Sequence, residues 1–145
     1  MKSLKIFPLL LTLVLTGFLM TAFTNPVLGQ NKPQNVVKVY YFHTEFRCAT
    51  CLKIESLISD AMKEKFKSQI AEGKVVFEIV NFSEKNNQHF EKDYDLYNQT
   101  LVVSQVKNGK ETKWKAAEKI WQLHGNKSKF ISYVDKEVKD YLKGL

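Results

Sequence analysis
Proline is scarce in this chain and missing from most of it. Pro8, Pro26 and Pro33 are the only three, so no residue after Pro33 has its φ fixed by a ring or follows a cis X–Pro bond. Glycine is nearly as sparse, with six residues, and none of them builds a Gly-rich loop that could cradle a phosphate. No serine stands in a nucleophile motif, and Glu78, Asp93, Asp95 and Glu111 are not placed as an acid–base pair. No basic block or RNA-binding aromatic signature occurs, so nucleic acid is not an expected partner. Cysteine is limited to Cys48 and Cys51, and neither falls at a lipobox position after the apolar N-terminal stretch, so lipoprotein attachment is not expected. No internal repeat interrupts the chain.

What the chain does hold is enough for one domain with a single core: 145 residues carrying a net charge of +7. The charge falls to +5 without residues 1–29, which contain Lys2 and Lys5 and no acid. The remaining lysines alternate with acids, as on solvated helix faces. The first residues read as an address: Lys2 and Lys5 precede an apolar stretch, Ile6 to Phe23, broken by Pro8 and Gly17. Val27-Leu28-Gly29 then offers a cleavage site before Gln30. Residues 1–29 are therefore a signal peptide or, with 18 apolar-stretch residues approaching a membrane span, an uncleaved N-terminal anchor. The expected location is periplasmic or otherwise extracytoplasmic, with membrane contact only through residues 6–23 if they are retained. Residues 30–35 form a linker and residues 36–145 the folded domain.

Within that domain, Val36–His43 reads as a strand buried on both faces, because its residues are almost continuously apolar. Leu52 to Ile70 follows as an amphipathic helix, with Ile54, Leu57, Ile58, Ala61, Met62, Phe66 and Ile70 on one stripe. Val75–Phe82 is a second strand, and Ser83 is a candidate cap for a second helix running through His89 to about Tyr97. Leu101–Val106 and Glu111–Lys115 form a hairpin across the turn signal Asn108-Gly109. Ala116 to Leu123 is a short helix or turn. Ser128 is a candidate cap for a last helix that turns Phe130, Val134, Val138 and Tyr141 inward. Trp114 and Trp121 are expected to pack against the sheet and this last helix.

Cys48-Ala49-Thr50-Cys51 lies where the first strand hands over to the first helix. A helix N-terminus presents unpaired N–H groups and partial positive charge, which favour a thiolate over a thiol. Three readings of the pair stay open: thiol–disulfide exchange, capture of a soft ion such as Cu(I) or As(III), and a structural disulfide in a non-catalytic partner subunit. The last is weakened because so short a loop removes little unfolded-chain entropy. In the ion-binding reading the ligands are Cys48, Cys51 and His43, the one histidine that chain direction places near the thiols; otherwise His43 is a site-tuning residue, as Gln99 and Thr100 are expected to be, or an ordinary strand-end histidine. His89 and His124 read as surface or partly packed residues.

The order strand, helix, strand, helix, hairpin, helix, with Cys-X-X-Cys at the first strand-to-helix junction, resembles the thioredoxin fold from Val36 to Leu142. It implies an α/β, three-layer fold with a central mixed sheet of about four strands flanked by helices. Tyr40-Tyr41-Phe42-His43, the run Arg47-Cys48-Ala49-Thr50-Cys51 and the segment Trp114 to Trp121 are similar to those of the exported, thioredoxin-like ArsF family. The resemblance implies Cys48 as the nucleophile, Cys51 as the resolving thiol, Arg47 as a charge favouring the thiolate, and Thr50 as a donor to sulfur or a helix-capping residue. It implies no cofactor, and a protein or small-molecule thiol or disulfide as partner. Two positions depart from the thioredoxin pattern. Aligning Thr100-Leu101-Val102-Val103 with the family's strand puts Gln99 where the cis-proline facing the cysteines is expected, and Gln99 is expected to be trans because a non-proline cis bond costs about 2.5–4 kcal/mol. Phe42 replaces the buried acid six residues before the first cysteine, leaving Glu45 or solvent to move the proton of Cys51.

Overall fold
The computed structural model describes residues 35–145; the expected signal or anchor segment, residues 1–29, and all of the expected linker but Asn35 lie outside the described residues. Four strands, β1 (Val36–His43), β2 (Val75–Asn81), β3 (Thr100–Lys107) and β4 (Lys110–Ala116), form one mixed sheet in the order β2-β1-β3-β4. β1 runs parallel to β2 and antiparallel to β3, and β3 is antiparallel to β4. The central position of β1 accounts for its continuous apolar run, since six of its eight residues are buried. This is the expected α/β, thioredoxin-like order of elements.

The helices are α1 (Ala49–Lys65), α2 (Lys67–Ala71), α3 (His89–Asp93), α4 (Ile120–Leu123) and α5 (Lys127–Leu142). One sheet face carries Val37, Val39 and Tyr41 from β1, with Leu101 and Val103 from β3. Against them pack Ile54, Ile58 and Met62 of α1, and Phe130, Val134 and Val138 of α5. Full burial of such side chains stabilises the fold by about 1.5–3 kcal/mol each. On the opposite face Tyr40, Phe42, Val80 and Val102 meet Phe82, Tyr94 and Leu96 from the segment between β2 and β3. That third layer is aromatic and contains only the five-residue α3.

Several element ends differ from the sequence expectation. The first helix stops at Phe66, whose backbone leaves the helical region as its ring enters the core, and a separate turn, α2, follows before Gly73 reverses the chain at φ 69°. The second helix does not start at Ser83. Asn81 Oδ1 accepts from the Ser83 amide and Asn87 Nδ2 donates to the Asn81 carbonyl, so these two side chains stabilise turns in place of helix until His89. The last helix is capped by Asn126, whose Oδ1 accepts from the Lys129 amide, and not by Ser128. The hairpin forms as expected, with Asn108 and Gly109 both at positive φ, the geometry of a two-residue type I′ turn. Trp114 packs edge-on against Tyr94 on the aromatic face, away from α5, while Trp121 packs on the α1–α5 face.

Candidate thiol–disulfide site
β1 ends at His43, a short turn follows, and α1 starts at Ala49, so Cys48 occupies the N-cap position. Cysteine lacks the oxygen of the usual capping residues, but its sulfur takes the same place: the Cys51 amide donates to Cys48 Sγ at 3.0 Å. Cys48 and Cys51 are joined by a disulfide, with their Cα atoms 5.0 Å apart. Cys51 is 2% exposed, whereas Cys48 keeps part of its surface in solvent. No acidic residue lies in the first turn of α1 to offset the helix field at the sulfurs.

The side chains named from the sequence surround this pair unequally. Arg47 Nη2 forms an ion pair with Glu55 Oε2, and both side chains are about three-quarters buried, at 24% and 23% exposure. Arg47 Nη1 also lies 3.3 Å from His43 Nε2. His43 Nδ1 is 2.9 Å from the Thr44 carbonyl, so a ring with its proton on Nδ1 donates there and accepts from Arg47 through Nε2. His43 is thus engaged by Arg47 and Thr44. Among the described residues no three His, Cys, Asp or Glu side chains gather as a metal-holding group, so the Cys48, Cys51 and His43 ligand set is not assembled. His89 and His124 contact the carbonyls of Asn86 and Trp121 in their own segments.

Gln99 is trans and does local work of its own. Its Nε2 donates to the Phe46 carbonyl at 3.2 Å and lies 3.4 Å from Thr44 Oγ1, while its own carbonyl accepts from Trp121 Nε1 at 3.0 Å. The Gln99 position thereby ties the turn before Cys48 to the start of β3 and to α4. Thr100 begins β3 opposite Phe42 and donates to the Asn98 carbonyl at 3.0 Å. Thr50, in the first turn of α1, is half-buried, and among the described residues its hydroxyl bonds to neither sulfur. Beside Gln99 opens a groove of about 610 Å³, lined in part by Tyr97, Thr100, Trp114, Glu118 and Trp121.

Phe42 is fully buried among Tyr40, Phe90 and Tyr94, so the position of the missing acid is apolar throughout. Glu45 is exposed. The carboxylate that does stand near the site is Glu55, which the sequence reading passed over. Its signal is the spacing: Cys48, Cys51 and Glu55 stand at i, i+3 and i+7 and share one helix face. Tyr41 lies beneath, its hydroxyl donating to the Cys51 carbonyl at 3.1 Å. Burial pushes the Tyr41 phenol up to about 12, the charge of Glu55 adds to the rise, and Arg47 opposes it.

No family model and no curated protein matches the sequence. Among solved structures, the chain is similar to a thioredoxin from Fasciola hepatica at 17% identity and a TM-score of 0.44, over 73% of this chain and 81% of that one. It is likewise similar to the reduced thioredoxin pre-protein of Schistosoma mansoni, at 17% identity and a TM-score of 0.46, over 74% and 81%. At these scores the fold assignment rests on the strand order and connectivity described above.

Proposed function
We propose that this protein is an exported thiol–disulfide oxidoreductase of the thioredoxin-like kind, working through Cys48 and Cys51. The observation that carries the reading is the Cys51 amide donating to Cys48 Sγ at the helix start, with Cys48 accessible and Cys51 buried. A thiolate at Cys48 meets an oriented N–H donor and the positive end of a 17-residue helix, both of which favour it over the thiol. Cys51 is the resolving thiol.

In the reductive direction the Cys48 thiolate attacks one sulfur of a partner disulfide and expels the other as a thiolate. Cys51, deprotonated, then attacks Cys48 Sγ, releases the partner's second thiol and restores the Cys48–Cys51 bond. Run in reverse, the same steps oxidise a dithiol partner. The partner is a protein or small molecule carrying a thiol or disulfide. Export through residues 1–29 supports this chemistry, since an oxidising compartment maintains such a pair. Closeness to the ArsF family is part of the proposal and is supported by the runs at residues 40–43 and 47–51 and by the segment from Trp114 to Trp121.

Replacement of Cys51 by serine should trap a mixed disulfide between Cys48 and the partner, visible as a reducible adduct in mass spectrometry. Cys48→Ser should abolish insulin reduction and trap nothing. Adducts forming equally on Cys51 in the Cys48→Ser protein would contradict these roles.

A further inference from the structure
Arg47 is adjacent to the nucleophilic sulfur in the chain, yet its charge is not free. Two partners fix the guanidinium: Glu55, one turn beyond Cys51 on α1, and His43 at the end of β1. Its Nε is buried and, among the described residues, has no acceptor in this oxidised state. A buried donor left without a partner is costly. The cost is tolerated here by the ion pair, which holds the side chain in place while part of its positive field is spent on Glu55.

We propose that Glu55 is a positioning residue for the exchange reaction, setting through Arg47 how strongly the positive charge beside Cys48 favours the reduced site. The proposal rests on the reading that Cys48–Cys51 is an exchanging dithiol. Reduction by glutathione balances as follows. Two glutathione thiols give up two electrons and join as glutathione disulfide, and the bond between Cys48 Sγ and Cys51 Sγ breaks. One of the two protons released goes to Cys51, the other to the buffer, and Cys48 remains a thiolate. Only the product carries a new negative charge, so a nearby positive charge favours reduction and a nearby negative charge opposes it. Arg47 and Glu55 therefore act in opposite senses on one equilibrium.

The test equilibrates the whole chain with glutathione buffers and reads the dithiol fraction by alkylation and mass. Glu55→Gln, which keeps the shape and removes the charge, should shift the equilibrium three- to tenfold towards the dithiol. Arg47→Met should shift it by a similar factor towards the disulfide, a tenfold change being about 30 mV for this two-electron couple. Glu55→Asp should restore the wild-type value, which a purely structural role would not require. Far-UV circular dichroism identifies any variant that fails to fold, and Arg47→Gln, which also removes the charge and should shift the equilibrium in the same direction, then replaces Arg47→Met. Shifts of the same sign for Glu55→Gln and Arg47→Met, or no shift in folded Glu55→Gln, overturn the proposal. A wild-type chain that does not equilibrate with glutathione at all overturns instead the exchange reading on which it stands.

Discussion
Cys48 and Cys51 differ in the two properties that govern thiol reactivity, access and contact with helix amides. Cys48 is partly exposed and accepts an amide hydrogen bond, while Cys51 is buried and its carbonyl is held by the Tyr41 hydroxyl. Burial in apolar surroundings makes a thiol inert, and an oriented N–H makes a thiolate accessible at neutral pH. The reduced protein treated with limiting iodoacetamide should therefore be labelled first at Cys48, by a factor of about ten or more, as read by peptide mapping. Preferential labelling of Cys51 would reverse the assigned roles. At the same scale, Gln99 shows how a missing residue is replaced: lacking a proline ring, the chain fixes this loop with three side-chain hydrogen bonds among Gln99, Phe46, Thr44 and Trp121.

At the scale of elements, helix boundaries depend on which local side chain satisfies the first free amides. Asn126 supplies that acceptor for α5, and Ser128, two residues inside the helix end, does not. Asn126→Ala should cost about 1 kcal/mol and lower the midpoint of thermal unfolding, whereas Ser128→Ala should leave it nearly unchanged. Equal losses for both variants would show that the cap has been misplaced. The strands and the hairpin are legible in sequence because their signals are local and strong: β1 is continuously apolar, and Asn108-Gly109 meets the demand of a turn with two positive φ angles. The cysteine pair is legible for the same reason, as two thiols at fixed spacing between a strand and a helix. The break at Phe66 and the turns after Asn81 are not, because they depend on a ring finding space in the core and on amide side chains competing with the helix. The place of Glu55 on the helix face of the cysteines is legible from spacing, but its pairing with Arg47 is not, since Arg47 lies eight residues back across the cap and only the folded turn brings them together.

Seen as a whole molecule, the domain covers one sheet face with two long helices and the other with aromatic side chains from the segment between β2 and β3. α1 and α5 are also linked at the surface by Lys127 and Asp60, 2.6 Å apart, a pair that draws the aspartate down and the lysine up. Such exposed pairs contribute little to stability. Buried and partly buried phenols matter more at high pH. Tyr41 and Tyr133 are each pushed up to about 12 from 10.0, in both cases chiefly by burial. The folded values lie above the unfolded one, so the stabilisation is intact below pH 10 and is lost as pH rises towards 12, at up to about 1.4 kcal/mol per pH unit for fully buried Tyr41 and less for partly exposed Tyr133. Tyr41→Phe should cost about 1 kcal/mol at neutral pH, through the lost bond to the Cys51 carbonyl, and should flatten the decline in urea midpoint between about pH 10 and 12. Identical alkaline declines in the two proteins would remove Tyr41 from this account.

The central claim, that Cys48–Cys51 is an exchanging dithiol and not a structural crosslink, is tested most directly by the reduction potential of the wild-type protein. Exchanging pairs fall between about −270 and −120 mV, whereas structural disulfides of secreted proteins typically lie below about −300 mV. The account predicts a reversible two-electron titration within the first range, with both thiols appearing together. A disulfide that stays closed in reducing glutathione buffers, with a potential below about −300 mV, would contradict it.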